Sequence, residues 1–484
     1  MFGNACASKT TWAERAVSGN FAGLIDEVAR RRPEHPALRW GGGAMTYRDL
    51  VAGAADFADR IRARGLRPGH RMAISLTNRP EFVVAVLGGL AAGVTVAPLD
   101  PLLKAEERAD ILADLRAAIE VEAGTGREVV ERAHGDGALG APAALVLYTS
   151  GSTGRPKGAV LSHAALTVAN RSWGGPVIGL REDDVVLGAL PLSHAFGLNG
   201  ALLAPLLAGV TVRLIERFVP ETVADLVVRD GVSVLPGVAT MFHRLLEVPG
   251  FTGGPRLRLG VSGAAPCPWE LAEAWRARTG VRIVRGYGST ELFRPLSYLA
   301  ADPTDHADCV GRPVPGVEIR VVDEEGRALE PGEEGELLIH TPAVMDGYLG
   351  SAEDTKAVLA DGWFRTGDLA RVTADGYVAI VGRKRERIKR GGYSVFPAEV
   401  EAVLLTHPAV AEAAVVGVPD DALGEEIAAF VALKPGAGTG ADELIAWCRE
   451  RLAAFKYPRR VTLLVALPRS ATGKVLKAKL AAEA

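Results

Sequence analysis

Several things are scarce in this sequence, and each shortage excludes a class of protein. Only four cysteines occur in 484 residues, at Cys6, Cys267, Cys309 and Cys448. None has the paired spacing of a metal knuckle, a redox couple or a disulfide frame. They read as reduced thiols, and no structural metal is expected. Acidic and basic side chains nearly cancel, leaving a formal charge of -3, so there is no basic excess to bind nucleic acid. No run approaches 18 apolar residues and the first residues lack an apolar export segment, so neither a membrane span nor secretion is expected. The expected location is cytoplasmic. Also missing is the common nucleotide loop G-x-x-x-x-G-K-[ST].

What is present is a long, ordinary globular composition, 48% apolar and 23% charged. At about 150 residues per domain this length predicts two or three units. Thr46 caps a helix in which Asp49 stands three residues later, Leu50, Ala54, Phe57 and Ile61 keep helical spacing, and Gly65 ends it. Helices over 21–32, 80–92, 105–118 and 162–171 alternate with strands over 71–76, 94–98, 143–147, 185–190, 210–215 and 232–235. That alternation predicts a doubly wound α/β fold. Residues 121–141 look glycine-rich and patternless, a connector. A β-hairpin region is expected over 318–322 and 335–340. Beyond residue 383 the order becomes helix 397–405, strands 410–418 and 427–433, helix 441–452 and strand 461–465, a small α+β domain.

The most informative stretch is Tyr148-Thr149-Ser150-Gly151-Ser152-Thr153-Gly154-Arg155-Pro156-Lys157-Gly158. Glycines let backbone N–H groups turn toward an anion, hydroxyls add rotatable donors, and a lysine supplies mobile positive charge. This is a phosphate loop by composition. Further along stand Pro191-Leu192-Ser193-His194-Ala195-Phe196-Gly197 and Gly286-Tyr287-Gly288-Ser289-Thr290-Glu291. The second places an aromatic, hydroxyls and a carboxylate on a glycine-freed turn, as stacking, phosphate bonding and Mg²⁺ ligation require. Trp363-Phe364-Arg365-Thr366-Gly367-Asp368 ends in a carboxylate that could accept from two ribose hydroxyls. Alone it reads as a plain Gly-Asp turn. A basic run, Arg383-Lys384-Arg385-Glu386-Arg387-Ile388-Lys389-Arg390, leads into Gly391-Gly392, and Pro468-Arg469-Ser470-Ala471-Thr472-Gly473-Lys474 presents a lysine on a glycine turn.

These six motifs, in this order, resemble the adenylate-forming superfamily of acyl-CoA synthetases, nonribosomal peptide adenylation domains and luciferases. The likeness runs over nearly the whole chain. The acyl-CoA synthetase (fatty-acid–CoA ligase) branch looks closest, given the 191–197 and 388–393 motifs. The resemblance implies a large multi-subdomain α/β domain over 1–382 and a small mobile α+β domain over 383–484. It implies activation of a carboxylic acid by ATP as an acyl-adenylate, then transfer to CoA. Thr149, Ser150, Gly151, Ser152, Thr153, Gly154 and Lys157 would surround the ATP phosphates. Tyr287, between Gly286 and Gly288, would lie against adenine, with Gly263, Ala264 and Ala265 on its other side. Thr290 would reach the α-phosphate and Glu291 would hold Mg²⁺. Asp368 and Arg383 would bind ribose, Arg385 would be the hinge, and Lys474 would be the catalytic lysine. His194 would stand between the acyl pocket and the thiol.

By the same resemblance His194, Phe196, Gly237, Val238, Met241, Gly260 and Gly288 would line the acyl pocket, and Lys389, Gly391, Gly392 and Tyr393 the CoA tunnel. Small apolar lining favours a medium-chain, long-chain or bulky alicyclic acid over acetate or an amino acid, whose ammonium would need a buried acidic partner. Two other readings stay open. One is an adenylase loading the phosphopantetheine of a separate acyl carrier protein, and the other is a non-catalytic nucleotide-binding member of the fold. A monomer or a homodimer is expected. Two departures stand out: the 119–142 segment is shorter than the resemblance leads one to expect, and Arg294 sits on the pocket rim. A surface salt bridge is the plainer expectation for Arg294, with a second substrate carboxylate as the alternative.

Overall fold

The computed structural model describes residues 19–124, 129–133, 140, 143–149, 156–302, 306–391, 393–420, 422–469 and 475–483. The chain divides into two compact units, Met1–Ile319 with Ile339–Phe364, and Arg320–Leu338 with Arg365–Ala484. This grouping differs from a boundary between 382 and 383, where the composition changes. The reason is a backbone ladder: strand Val378–Arg383 pairs with Trp363–Val372, setting Asp368 opposite Arg383.

The first unit is built on two seven-stranded sheets. One runs in the order Ile283–Val284, Leu259–Ser262, Val234–Gly237, Val185–Gly188, Thr211–Leu214, Pro36–Trp40, Gly43–Thr46. Its pairs are parallel except the last. Strands such as Val185–Gly188 are buried at every position, as expected where helices cover both faces of a parallel sheet. Beneath it Trp275, Phe242 and Phe251 form an aromatic core, with Phe242 edge-on to Trp275 at 5.0 Å.

The other sheet runs Gly347–Tyr348, Lys157–Leu161, Leu145–Thr149, Thr95–Pro98, Arg71–Ser75, Ile119–Ala123, Val129–Ala133. The helix Tyr47–Ala63 begins with the reciprocal cap expected of Thr46 and Asp49, each accepting from the other's backbone N–H. Two expectations give way here. The helix over 105–118 ends at Leu115, because Arg116 adopts a left-handed φ of 47°. The connector over 121–141 holds the end of one strand and all of another, Ile119–Ala123 and Val129–Ala133, paired antiparallel at the sheet edge. Ile119 and Val121 bury one face, while Glu120 on the other accepts from Ser75 Oγ and Arg108 Nε, both at 2.7 Å. An alternation that short is masked by the glycines around it.

In the second unit a sheet carries the paired 363–372 and 378–383 strands. A further sheet runs Tyr393–Val395, Ile388–Arg390, Gly424–Leu433, Val410–Asp420, with Arg460–Leu464 parallel to Gly424–Leu433. Helices Pro397–Leu405 and Ala441–Arg451 contribute Val400, Leu404, Leu444 and Cys448 to its core. The helix–strand–strand–helix–strand order read from the sequence is present.

One buried side chain ties the first unit's two sheets to the loop that carries His194 and Phe196. Asn78 donates to the carbonyls of Gly188 (3.1 Å) and Leu190 (2.7 Å) and accepts from Leu192 N–H at 3.0 Å. Asn78→Ala strands buried backbone groups, each worth about 1–3 kcal/mol when unsatisfied. We expect a clear fall in the unfolding midpoint. An unchanged midpoint by calorimetry would show that water replaces the amide without cost.

Candidate active site

The phosphate-loop motif is framed by antiparallel strands Leu145–Thr149 and Lys157–Leu161, with Thr149 directly opposite Lys157. Ser150, Gly151, Ser152, Thr153 and Gly154 lie outside the described residues. A short strand from much later in the chain, Gly347–Tyr348, joins the outer edge and sets Tyr348 opposite Ala159. That pairing assembles a charged cluster. Lys157 Nζ lies 2.5 Å from Asp354 Oδ1 and 5.4 Å from the centre of the Tyr348 ring, and Tyr348 donates its hydroxyl to Glu291 Oε1 at 2.8 Å. Met345 N–H donates to the Glu291 carbonyl, also at 2.8 Å. Burial first, and then the Glu291 carboxylate, push the Tyr348 phenol above its ordinary range, so it stays a donor. Hydrogen bonds from Lys157 and Ser351 hold the Asp354 carboxyl below the usual range.

Tyr348 and Asp354 carry no local sequence signal, since each acquires its role by pairing with residues far away in the chain. Thr290 precedes Glu291 and is half-buried. Among the described residues no three His, Cys, Asp or Glu side chains cluster as a metal cage. Glu291, with one oxygen fixed by Tyr348, suits a hard cation held through one carboxylate and through phosphate oxygens.

The 286–291 motif begins as strand Gly286–Ser289, antiparallel to Phe293–Ser297, with half-buried Tyr287 opposite Leu296. At Gly288 a Cβ would lie 1.8 Å from the Phe293 carbonyl oxygen, so only glycine fits. Following strand Leu259–Ser262, Gly263 is buried while Ala264 and Ala265 are exposed. Ala264 takes a φ of 64°, a left-handed conformation that alanine rarely adopts and that clusters at functional sites.

On the acid side, His194 Nε2 lies 3.5 Å from Asp100 Oδ2. Burial opposes the Asp100 charge, but hydrogen bonds from His194 and Leu102 N–H outweigh it and hold the carboxyl below its ordinary range. Asp100 thus orients His194, a role the sequence did not reveal. Phe196 is half-buried and stacks on Trp173 at 5.4 Å. The next residues, Gly197–Leu203, form a wide π-helical turn, as do Trp173–Val177, a form frequent at functional sites. Gly237 and Gly260 turn toward the core: a Cβ at either would meet the Phe242 ring, at 3.3 and 3.1 Å. Met241 packs in that same core and Val238 lies at its margin. These two glycines could therefore face an acid only with their backbones.

Arg294 corrects an expectation outright. It is 6% exposed, makes no surface salt bridge, and spends its donors on Ser297 Oγ (2.9 Å), Ser262 O (2.7 Å) and Val284 O (3.2 Å). Facing positions in a hairpin, rather than exposure, decide where it goes.

In the second unit Arg383 Nε lies 3.3 Å from Asp368 Oδ1, and Asp368 is largely buried. Thr366 Oγ1 accepts from Asp368 N–H at 3.0 Å and donates to Leu337 O at 2.7 Å. Arg385 sits in a 3₁₀ turn, Lys384–Glu386. Its neighbour Lys384 reaches buried Glu336 at 3.0 Å, which Arg365 also holds at 2.6 Å. Lys389 lies in strand Ile388–Arg390, its N–H donating to Glu425 at 2.6 Å, and Gly391 follows at a φ of 56°. Tyr393 is 55% exposed and stacks on Phe455 at 4.3 Å. Gly392 and Lys474 lie outside the described residues.

Comparison with known proteins gives this arrangement a context. The AMP-binding enzyme family matches residues 25–141 and 140–349, and the AMP-binding enzyme C-terminal domain matches 399–474. The chain belongs to this family. Within the adenylate-forming superfamily it falls in the acyl-CoA ligase branch, as an AMP-forming acid–thiol ligase. It is 36% identical over 476 residues to a feruloyl-CoA synthase of Amycolatopsis sp, covering 93% of this chain and 96% of that protein. It is 35% identical over 512 residues to the 3-[(3aS,4S,7aS)-7a-methyl-1,5-dioxo-octahydro-1H-inden-4-yl]propanoyl:CoA ligase of Mycobacterium tuberculosis, covering 94% and 97%. Its fold matches O-succinylbenzoate coenzyme A synthetase from Bacillus subtilis, solved with ATP and magnesium ion. The TM-score is 0.85 at 30% identity, over 94% of this chain and 98% of that one. Use of ATP, Mg²⁺ and CoA by this ligase accords with these relatives. Among the described residues no helix is long and apolar enough to cross a membrane.

Tyr348→Phe tests the charged cluster. Removing a hydrogen bond to a carboxylate costs about 1.5–3 kcal/mol, so the Mg²⁺ concentration for half-maximal pyrophosphate release should rise about tenfold or more, with the melting temperature little changed. An unaltered Mg²⁺ dependence would separate Tyr348 from the metal-holding role expected of Glu291.

Proposed function

We propose that this enzyme joins a carboxylic acid with a bulky or extended apolar body, a medium or long chain or an alicyclic skeleton, to CoA in two half-reactions. The observation that carries the reading is the convergence of Lys157, Tyr348, Glu291 and Asp354 beside the phosphate-loop strands. A ring-bearing acid is also named for both relatives described above.

In the first half-reaction an oxygen of the acid's carboxylate attacks the α-phosphorus of ATP. That P–O bond forms as the bond to the bridging oxygen of pyrophosphate breaks, leaving an acyl-adenylate. Both partners are anions, so the chain's task is to offset charge and fix geometry. Lys157, Thr149 and residues 150–154 bind the outgoing phosphates, Thr290 donates to the α-phosphate, and Lys474 bridges the acid and nucleotide. Glu291 would hold Mg²⁺, which would supply a counter-charge to the phosphates. Tyr287 and the 263–265 backbone hold adenine, while Asp368 and Arg383 hold ribose. In the second half-reaction the CoA sulfur attacks the acyl carbon and AMP leaves with its phosphate oxygen. His194, oriented by Asp100, stands beside the arriving thiol, and Lys389, Gly391, Gly392 and Tyr393 line its path. Residues 383–484 turn about Arg385 between the steps, a hinge motion.

Two variants separate the half-reactions. Lys474→Ala should slow adenylate formation by about 10²–10³-fold, the scale for losing one preorganised donor at a developing charge, while thioester formation from supplied acyl-adenylate survives. Asp368→Ala should weaken ATP binding and leave the acid's affinity intact. Pyrophosphate release and thioester yield on the same preparations are the readouts, with free CoA and a phosphopantetheinylated carrier compared as acceptors. Loss of the thioester step from preformed adenylate in Lys474→Ala would sink this division of labour.

A further inference from the structure

The guanidinium of Arg294 is a buried cation without a counter-charge. No carboxylate among the described residues pairs with it; its three protein acceptors are a hydroxyl and two carbonyls, all neutral. A buried charge is costly unless an opposite charge meets it. Burial alone pulls the group down to about 9, which still leaves it mostly protonated at neutral pH.

The surroundings have been cleared to admit it. A Cβ at Gly286 would stand 2.3 Å from the Arg294 Cζ, and one at Gly263 would stand 3.0 Å from Nη1 and 3.3 Å from the Phe196 ring. The guanidinium therefore fills the space of two absent side chains, at the junction between the adenine-side backbone and the aromatic wall. The wall consists of Trp173, 4.9 Å from Cζ, with Phe196 stacked on it. An arginine over an indole is held flat, which presents its edge in a fixed plane.

Donor bookkeeping points the same way. A guanidinium has five N–H groups, and three are used, one each from Nε, Nη1 and Nη2. One N–H on each terminal nitrogen remains for a ligand. The Nε1 of Trp173, whose ring lies against the guanidinium, is a buried donor left without a partner. An uncompensated cation with spare donors is complementary to an anion.

We propose that Arg294 is a specificity residue that receives a second carboxylate carried on the body of the acid substrate. This rests on the ligase reading and narrows it to diacids with an apolar skeleton between their carboxyl groups. One carboxylate meets the α-phosphate, and the other lies against the Arg294 edge and the Trp173–Phe196 wall. Such a ligand supplies the missing counter-charge, whereas the matching monoacid leaves it missing. The glycines at 263 and 286 serve this subsite by leaving room for the guanidinium.

The test uses the full-length enzyme and acid pairs that share a skeleton, octanoate with suberate and cinnamate with 4-carboxycinnamate. Turnover is read by pyrophosphate release, and binding by calorimetry with a non-hydrolysable ATP analogue present. In the parent, at least one diacid should exceed its monoacid in both kcat/KM and affinity. In Arg294→Gln the favoured diacid should lose about 10–100-fold relative to its monoacid, the scale of a charge-assisted hydrogen bond, so that the diacid-to-monoacid ratio of kcat/KM collapses. Arg294→Lys keeps the charge without the fork and should recover part of the loss. If Arg294→Gln does not fold, the parent comparison decides. Equal or weaker binding and turnover of every diacid overturns the subsite, while monoacid turnover leaves the ligase reading intact. Selective diacid binding without any pyrophosphate release supports the subsite and overturns the ligase reading.

Discussion

The first unit's chemistry depends on a two-residue strand. Gly347–Tyr348 completes the edge of the sheet that carries the phosphate-loop flanks, and with that pairing Asp354 reaches Lys157 while Tyr348 stands between Lys157 and Glu291. In the reading proposed above, polyphosphate recognition would need positive charge close to negative charge without letting the two neutralise each other completely. The cluster meets this by degrees: Asp354 holds Lys157 directly, whereas Glu291 is reached through a neutral hydroxyl. Glu291 is positioned without being spent on a cation of the protein. Edge strands are usually short or covered, and here the covering element supplies function.

The acid side follows a different logic, in which buried polar groups are arranged first and apolar surface fills what is left. Asn78 pins the 188–192 backbone, Asp100 aims His194, and Arg294 is threaded between two glycines. Each is expensive to bury, and each is repaid in geometry only if its partners are in place.

Much of this was legible in the sequence wherever the signal is local. The cap at Thr46, the apolar periodicity of 47–63 and the valine-rich strands are written in neighbouring residues, and they appear as read. The register that opposes Asp368 and Arg383 was not read from the sequence; the family likeness had only linked the two residues to one ribose. Illegible were the features that depend on separations of tens or hundreds of residues. Tyr348, Asp354, Asp100 and Asn78 have ordinary local contexts. Strand Val129–Ala133 lay hidden because its partner strand, rather than its own pattern, makes it a strand. Arg294 was misread for a related cause. A charged residue on a predicted rim reads as solvated, and only the absence of side chains at 263 and 286 makes room for it inside.

The shared carboxylate of Glu336 has a mechanical consequence. Because Arg365 and Lys384 both hold it, the protein carries a spare cation at that point. A backbone rotation within 383–386 would carry Lys384 away, and with a single partner this would strand a buried anion, an event costing several kcal/mol. With Arg365 retained, the anion keeps its neutraliser throughout. Burial weighs against the Glu336 charge, yet the two cations hold its carboxyl below the ordinary range, and one of them can be released on loan. If residues 383–386 turn as proposed, the contact would yield without leaving a charge unpaired.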